Sequence, residues 1–347
     1  MHCSLNGSSH LKILSFLHRI QSSQIPLQIG NVLLKYCSSL SVKGVGGALP
    51  FSINYFIMHI IQFPYNSPTY SEIKKGQSEQ FAIPSADFIA EWRRFERNIH
   101  SEFPSSDLSW RFWQFELACL NQSLSIRDLE CTDMKDKLSQ LMIPTNYFDS
   151  VGFIATFHFA SYRLLGKWLA LRGIPFLLVV SGKVKSEQEM LFYRSIEACL
   201  QKPADFGVLD ANDPRILFKI KRGIDSGYMI LIYVDGNISA SDKRLTEVRL
   251  LEHDISVQSG IGFMANWLKV PVYPILSVRD RDNVGFVLHD PLLVTSDFVN
   301  GEDRVTVLVK KLYSFLSNLL QDEPGMWENW FYLDEFLLHN DARVSCK

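Results

Sequence analysis

A histidine, His158, stands directly after a short apolar, β-rich run at 151–157 and before a segment of helical pattern at 162–172. In open α/β sheets, binding and reacting groups gather at the carboxyl ends of strands, because the connecting loops converge there. An imidazole at that point titrates near neutrality and suits work as a general base. A lone histidine is equally an ordinary packed or surface residue, so position alone makes His158 only a candidate. Ser161 and Tyr162 follow it closely and offer hydroxyl donors to the same place, or else a helix cap and a packing ring.

The elements that must hold such a site are legible as an alternation. VGFIATF, PFLLVV, YMILIYV and VPVYPILSV are compact apolar runs separated by segments of helical pattern. Strands alternating with helices predict an α/β fold with a mostly parallel central sheet flanked by helices. This domain is expected over 85–335, with its core at 145–320. Ahead of the sheet, Ser85 is placed to cap a helix carrying Phe88, Ile89, Trp92 and Phe95 at steps of three and four. A second helix is predicted over 108–120 and a third over 126–142, ending before Pro144. Helical pattern returns at 304–320, and Trp327, Trp330, Phe331 and Tyr332 stand close together after it, the two tryptophans reading as residues that close the core. Residues 336–347 form a tail.

Residues 1–84 are apolar but irregular, broken by GVGG at 44–47 and a Pro-, Ser- and Tyr-rich stretch at 64–70. They are expected to form an N-terminal helical extension that faces a membrane or a partner. The first residues lack the pattern of a secretory leader, since His18 and Arg19 interrupt a short apolar run. The most apolar segment, 48–63, is shorter than the roughly 20 residues a spanning helix needs, and it contains Pro50, Asn54 and His59. It suits a buried or membrane-surface helix better than a span.

Composition excludes other classes. With 35 basic and 37 acidic residues and a net charge of -2, the chain has no overall field to draw in nucleic acid. The six cysteines are irregularly spaced and make neither a zinc pattern nor a disulfide framework, which fits reduced thiols in a cytoplasm. No His, Cys, Asp or Glu set has usual metal-ligand spacing, and no cofactor is expected. The hydrophobic fraction of 47% and the 24 phenylalanines leave room for an apolar groove beside the core.

Four blocks then fall into order. FHFASYR (157–163) resembles the first block of the glycerolipid and lipid A acyltransferases, H-x-x-x-x-[DE] at the end of a strand. YVDGN, from Tyr233 to Asn237, follows another strand as their third block does. SGIGFMANWLKVPVYPI (259–275) looks like their T-G-x-x-x-x-A-x-x-x-x-x-P-V-x-P segment, a helix leading into a strand. DEPGMWENWF (322–331) is similar to the P-x-x-W-x-W-x-x-x-x-F ending of the bacterial late acyltransferases of lipid A, with its tryptophans spaced differently. The resemblance covers about 85–335, and although no single block is specific, their order and spacing agree.

This resemblance implies a glycerolipid acyltransferase-like fold. It also implies transfer of an acyl group from acyl-CoA or an acyl carrier protein to a hydroxyl or amine acceptor, either a lipid or a small molecule. His158 would be the general base, and the family's carboxylate partner would orient the ring and stabilise the imidazolium. Here that partner's position holds Arg163, which cannot accept the ring N–H and would lower the histidine's pKa. Asp235, on the third block, is the preferred replacement, with Asp149 and Glu252 as further candidates; Asp235 and Gly236 also suit a plain turn. Arg163 itself is either a solvated helix residue or an anion-binding fork.

Other groups are implied for the substrate. Backbone N–H groups after Gly236, or near Ser259 and Gly260, would meet an oxyanion. Arg194, Lys219, Lys221 and Arg222 would contact a phosphopantetheine or lipid phosphate, or else form an exposed basic helix face. Lys243, Arg244 and Arg249 follow the third block, where the family often uses positive charge. His253 reads as packed or surface-lying. The departure at Arg163 leaves three readings open: an acyltransferase, a descendant that only binds an acyl chain or carrier protein, and a thioester hydrolase. A cytoplasmic protein, in peripheral contact with the inner membrane face if its acceptor is a lipid, fits the first.

Overall fold

The computed structural model describes residues 86–131, 134–144, 146–200, 205–236, 245–280, 283–293 and 303–336. The expected N-terminal extension, the Ser85 cap, the tail after 336, and Asn237, Lys243 and Arg244 lie outside these residues.

The described chain is α/β, with a mostly parallel six-stranded sheet flanked by helices. The strands are β1 (Phe153–Thr156), β2 (Phe176–Val180), β3 (Phe206–Asp210), β4 (Met229–Tyr233), β7 (Val272–Asp280) and β8 (Asn283–Leu288). Their order is β3-β2-β4-β1-β7-β8, and only the β7–β8 pair is antiparallel. A separate antiparallel hairpin joins β5 (Leu245–Arg249) to β6 (Asp254–Gln258). β1 and β4 are buried at every residue, as expected of central strands covered on both faces. β3 and β8, the two edges, are the strands that the apolar runs did not announce.

Eight helices surround the sheet among the described residues: α1 (Ala86–Glu102), α2 (Leu108–Glu130), α3 (Met134–Gln140), α4 (Leu164–Leu171), α5 (Gly182–Glu197), α6 (Ile216–Asp225), α7 (Gly260–Leu268) and α8 (Arg304–Asp322). None of them is long and apolar enough to cross a membrane. On one face Leu129, Leu138, Trp168, Phe192 and Ile196 pack on Ile154, Leu178, Leu231 and Tyr273. On the other face α6 comes so close that a Cβ on Gly223 would meet Leu177 and Ile230, and Phe157 packs edge-on against Tyr313 of α8. Gly152 is required where β1 passes β7, because a Cβ there would collide with the Pro271 carbonyl.

The predicted break between helices near 121–125 is corrected: α2 runs unbroken for 23 residues and the interruption falls after Glu130. Asn121 and Ser125, in the expected gap, and Asp128, in the expected third helix, are buried on one face of α2 and bonded to other segments. With Gln114 they form a polar stripe at helical spacing. The predicted helix at 162–172 is also shorter, because 160–163 is a turn that precedes α4.

Candidate active site

The register of the central strands brings the two candidate groups together. β1 and β4 are parallel neighbours with Thr156 opposite Tyr233. His158 and Asp235 each lie two residues further on, so they meet at the carboxyl ends of adjacent strands although 77 residues separate them in sequence. His158 Nδ1 lies 2.8 Å from Asp235 Oδ1, and the His158 backbone N–H donates to both carboxylate oxygens at 3.1 Å. Asp235 Oδ2 also accepts from Trp327 Nε1 at 2.8 Å, and its side chain is fully buried. A carboxylate only accepts, so in the neutral ring Nδ1 carries the proton and Nε2 presents its lone pair. No group among the described residues engages Nε2, and the side chain is 23% exposed.

Burial depresses the His158 pKa, but the charge and hydrogen bond of Asp235 overcome this, with Glu328 adding to them and Arg163 opposing. The net result lies above the ordinary histidine value. The sequence-based expectation of a lowering cation is therefore met by Arg163 itself and outweighed by two carboxylates.

A strap from the C-terminal end fixes the histidine loop. After α8 the chain makes two short 3-10 turns, Pro324–Met326 and Glu328–Phe331. Between them Trp327 bridges Phe159 in antiparallel fashion. Glu328 N donates to His158 O at 3.0 Å, and Ala160 N donates to Met326 O at 2.8 Å. Asn329 Nδ2 closes the strap on Asp235 O at 2.7 Å. Below it, Asn121 of α2 donates to Ala160 O and Met326 O, and Gln114 accepts from Gly325 N. A side chain at Gly325 would strike Gln114 and Leu117, so glycine is needed there. These bonds over-determine Ala160, which sits at φ 50° in the left-handed region that a Cβ disfavours.

His158 opens on a cavity of about 410 Å³. Its polar wall includes Tyr162, Arg163, Asp235, Gly236, Glu328 and Asn329, and its apolar wall includes Val179, Val180, Val184 and Phe192. Arg163 donates to Glu328 Oε1 at 3.2 Å and Ser125 Oγ at 3.1 Å, and its guanidinium lies 4.4 Å from the Tyr162 ring centre. Tyr162 donates to the other Glu328 oxygen at 3.1 Å. Arg163 is thus answered by a carboxylate on the strap.

The structure brings Tyr162, Arg163 and Gly236 to the cavity with His158 and Asp235, but other expected contacts lie elsewhere. Ser161 points into the protein, where Arg279 donates to it at 2.7 Å, so it holds the loop instead of facing the cavity. Arg194 lies on the exposed side of α5, and Ser259 and Gly260 begin α7; none of the three lines the cavity. Lys219 and Lys221 pair with Asp213 and Asp225 on an exposed helix face. Asp149 accepts from Tyr273, before β1 begins, and so belongs to the opposite end of the sheet. Glu252 and His253 sit at the β5–β6 turn beside the buried Glu102.

Sequence reasoning missed Trp327 and Glu328 as site residues and missed the α2 stripe entirely. A trace was present in both cases. Glu328 is an acid enclosed by tryptophans, and Gln114, Asn121 and Asp128 recur every seven residues. No protein-family model and no curated protein matches the chain.

Proposed function

We propose that this chain is an acyltransferase of the lysophospholipid and lipid A acyltransferase class. It would move an acyl group from a thioester, carried on coenzyme A or an acyl carrier protein, to a hydroxyl or amine. The observation that carries this reading is the His158–Asp235 pair at the ends of β1 and β4, beside a cavity and with Nε2 engaged by no described residue. The four sequence blocks add support, and the fourth now has a physical role: its first tryptophan donates to the catalytic carboxylate.

In this mechanism the acceptor's O–H or N–H gives its proton to His158 Nε2 as the oxygen or nitrogen bonds to the thioester carbon. The imidazolium is stabilised by Asp235, which Trp327 and the His158 amide hold in place. Collapse of the tetrahedral intermediate breaks the C–S bond, and His158 returns the proton to the departing thiolate. The base works in its neutral form, so turnover rises with pH through a midpoint above the ordinary histidine value of 6.5.

The test is thiol release from acyl-CoA and acyl-carrier-protein donors, with and without hydroxyl and amine acceptors. His158→Ala should lower turnover by about 10²–10⁴-fold, the usual size of a general-base contribution. Thiol release that needs no acceptor would make the protein a thioester hydrolase. Donor binding without turnover would make it an acyl- or carrier-binding descendant.

A further inference from the structure

Two phenols pack against the imidazole, and their hydroxyls differ. Tyr162 meets the His158 ring edge-on with centroids 4.8 Å apart, and its hydroxyl is committed to Glu328. Tyr233, the last residue of β4, lies tilted against the same ring at 4.9 Å. It is 6% exposed and lines the cavity, yet its hydroxyl has no hydrogen-bond partner among the described residues. A hydroxyl in the cavity wall that no described residue holds, on a ring packed against the imidazole, is free to donate to a substrate bound there.

We infer that the Tyr233 hydroxyl is a catalytic donor, which hydrogen-bonds the thioester carbonyl oxygen and the oxyanion formed from it. This inference rests on the acyl-transfer reading of the site. When the acceptor attacks, the carbonyl π pair moves onto oxygen, and the Tyr233 O–H meets the new charge without giving up its proton. When the C–S bond breaks, that pair returns to re-form C=O, and the proton needed by the thiolate comes from His158. Burial raises the Tyr233 pKa, Arg163 pulls it down, and Glu328 and Asp235 raise it further, leaving it above the ordinary tyrosine value. The phenol therefore stays a donor throughout the pH range in which His158 becomes a base. Of the positions expected to meet an oxyanion, Ser259 and Gly260 do not line the cavity, whereas Gly236 does, together with Tyr233.

The experiment compares the native chain with Tyr233→Phe in the thiol-release assay, alongside thermal unfolding of both. The variant removes only a hydroxyl that no described residue bonds, so its unfolding midpoint should match the native one. Its kcat should fall by about 10²–10³-fold, the size of losing one oxyanion donor, with a much smaller rise in KM for the donor. Fluorotyrosine at position 233, a more acidic phenol and a stronger donor, should keep or exceed native kcat. Equal kcat in the native chain and Tyr233→Phe overturns this inference and leaves the acyltransferase reading standing. If Tyr233→Phe loses activity together with its fold, fluorotyrosine decides: a rate insensitive to phenol acidity overturns the inference. A native chain that releases no thiol from any donor overturns both.

Discussion

Two arginine–carboxylate pairs hold the loop that carries His158, and they differ in what they face. Arg279 and Asp128 are sealed, with side-chain exposures of 3% and 6%, and they clamp Ser161 from inside the protein. Arg163 and Glu328 are less enclosed, at 14% and 11%, and both line the cavity. Both pairs reach the same face of α2, through Asp128 and through Ser125 one turn earlier. The sealed pair therefore sets where the loop's backbone goes, and the open pair adjusts the field that Asp235 sets at His158.

Breaking the sealed pair should have the largest effect. Asp128→Asn removes the carboxylate that faces the buried Arg279 guanidinium, which should destabilise the fold by about 3–5 kcal/mol in denaturant unfolding. Replacing both residues, Asp128→Leu with Arg279→Met, removes the buried cation together with its carboxylate and should recover most of that loss. Glu328→Gln should cost less, about 1–3 kcal/mol, since Arg163 keeps Ser125 and can turn toward the water of the cavity. Equal losses from Asp128→Asn and Glu328→Gln would erase the distinction between a structural and an electrostatic pair.

The open pair is sharpened by titration. Glu328 raises the His158 pKa and Arg163 lowers it. Glu328→Gln should move the midpoint down and Arg163→Gln should move it up, as read from the His158 ring signals by NMR whether or not a substrate is known. Stability follows the same sign. A histidine whose folded pKa exceeds its unfolded value of about 6.5 adds stability that is fully present below that pH and is lost as pH rises through the folded value. Arg163→Gln should enlarge this acid-side stabilisation by His158, and Glu328→Gln should reduce it. Midpoints that move together in both variants would mean that the pair acts on His158 through loop geometry and not through charge.

The same contrast accounts for what the sequence reveals. β1, β2, β4 and β7 are visible as apolar runs because both faces of a central parallel strand are buried, and His158 is visible because it follows one of them. β3 and β8 lie at the edges, where residues are only half-buried and the apolar signal thins. The polar stripe on α2 has the appearance of a break, because a residue's own type does not reveal that a loop far along the chain will supply its hydrogen bonds. Arg163 is misleading for the same reason: alone it signals a lost acid, and only the strap shows that Glu328 balances it. Local patterning specifies the layers, whereas the site depends on pairings between segments that no local window contains.

The smallest effect tests whether the α2 stripe reaches the chemistry. Ser125 accepts one hydrogen bond from Arg163 and stands a turn before Asp128, so it touches the open pair without carrying charge. Ser125→Ala should cost about 0.5–1.5 kcal/mol, the net worth of one hydrogen bond, and should leave the His158 midpoint near its native value because both charges remain. If Ser125→Ala instead moves the midpoint as far as Glu328→Gln does, the guanidinium has swung away from its carboxylate. The field at His158 is then governed by the position of Arg163, which α2 fixes, more than by the presence of Glu328.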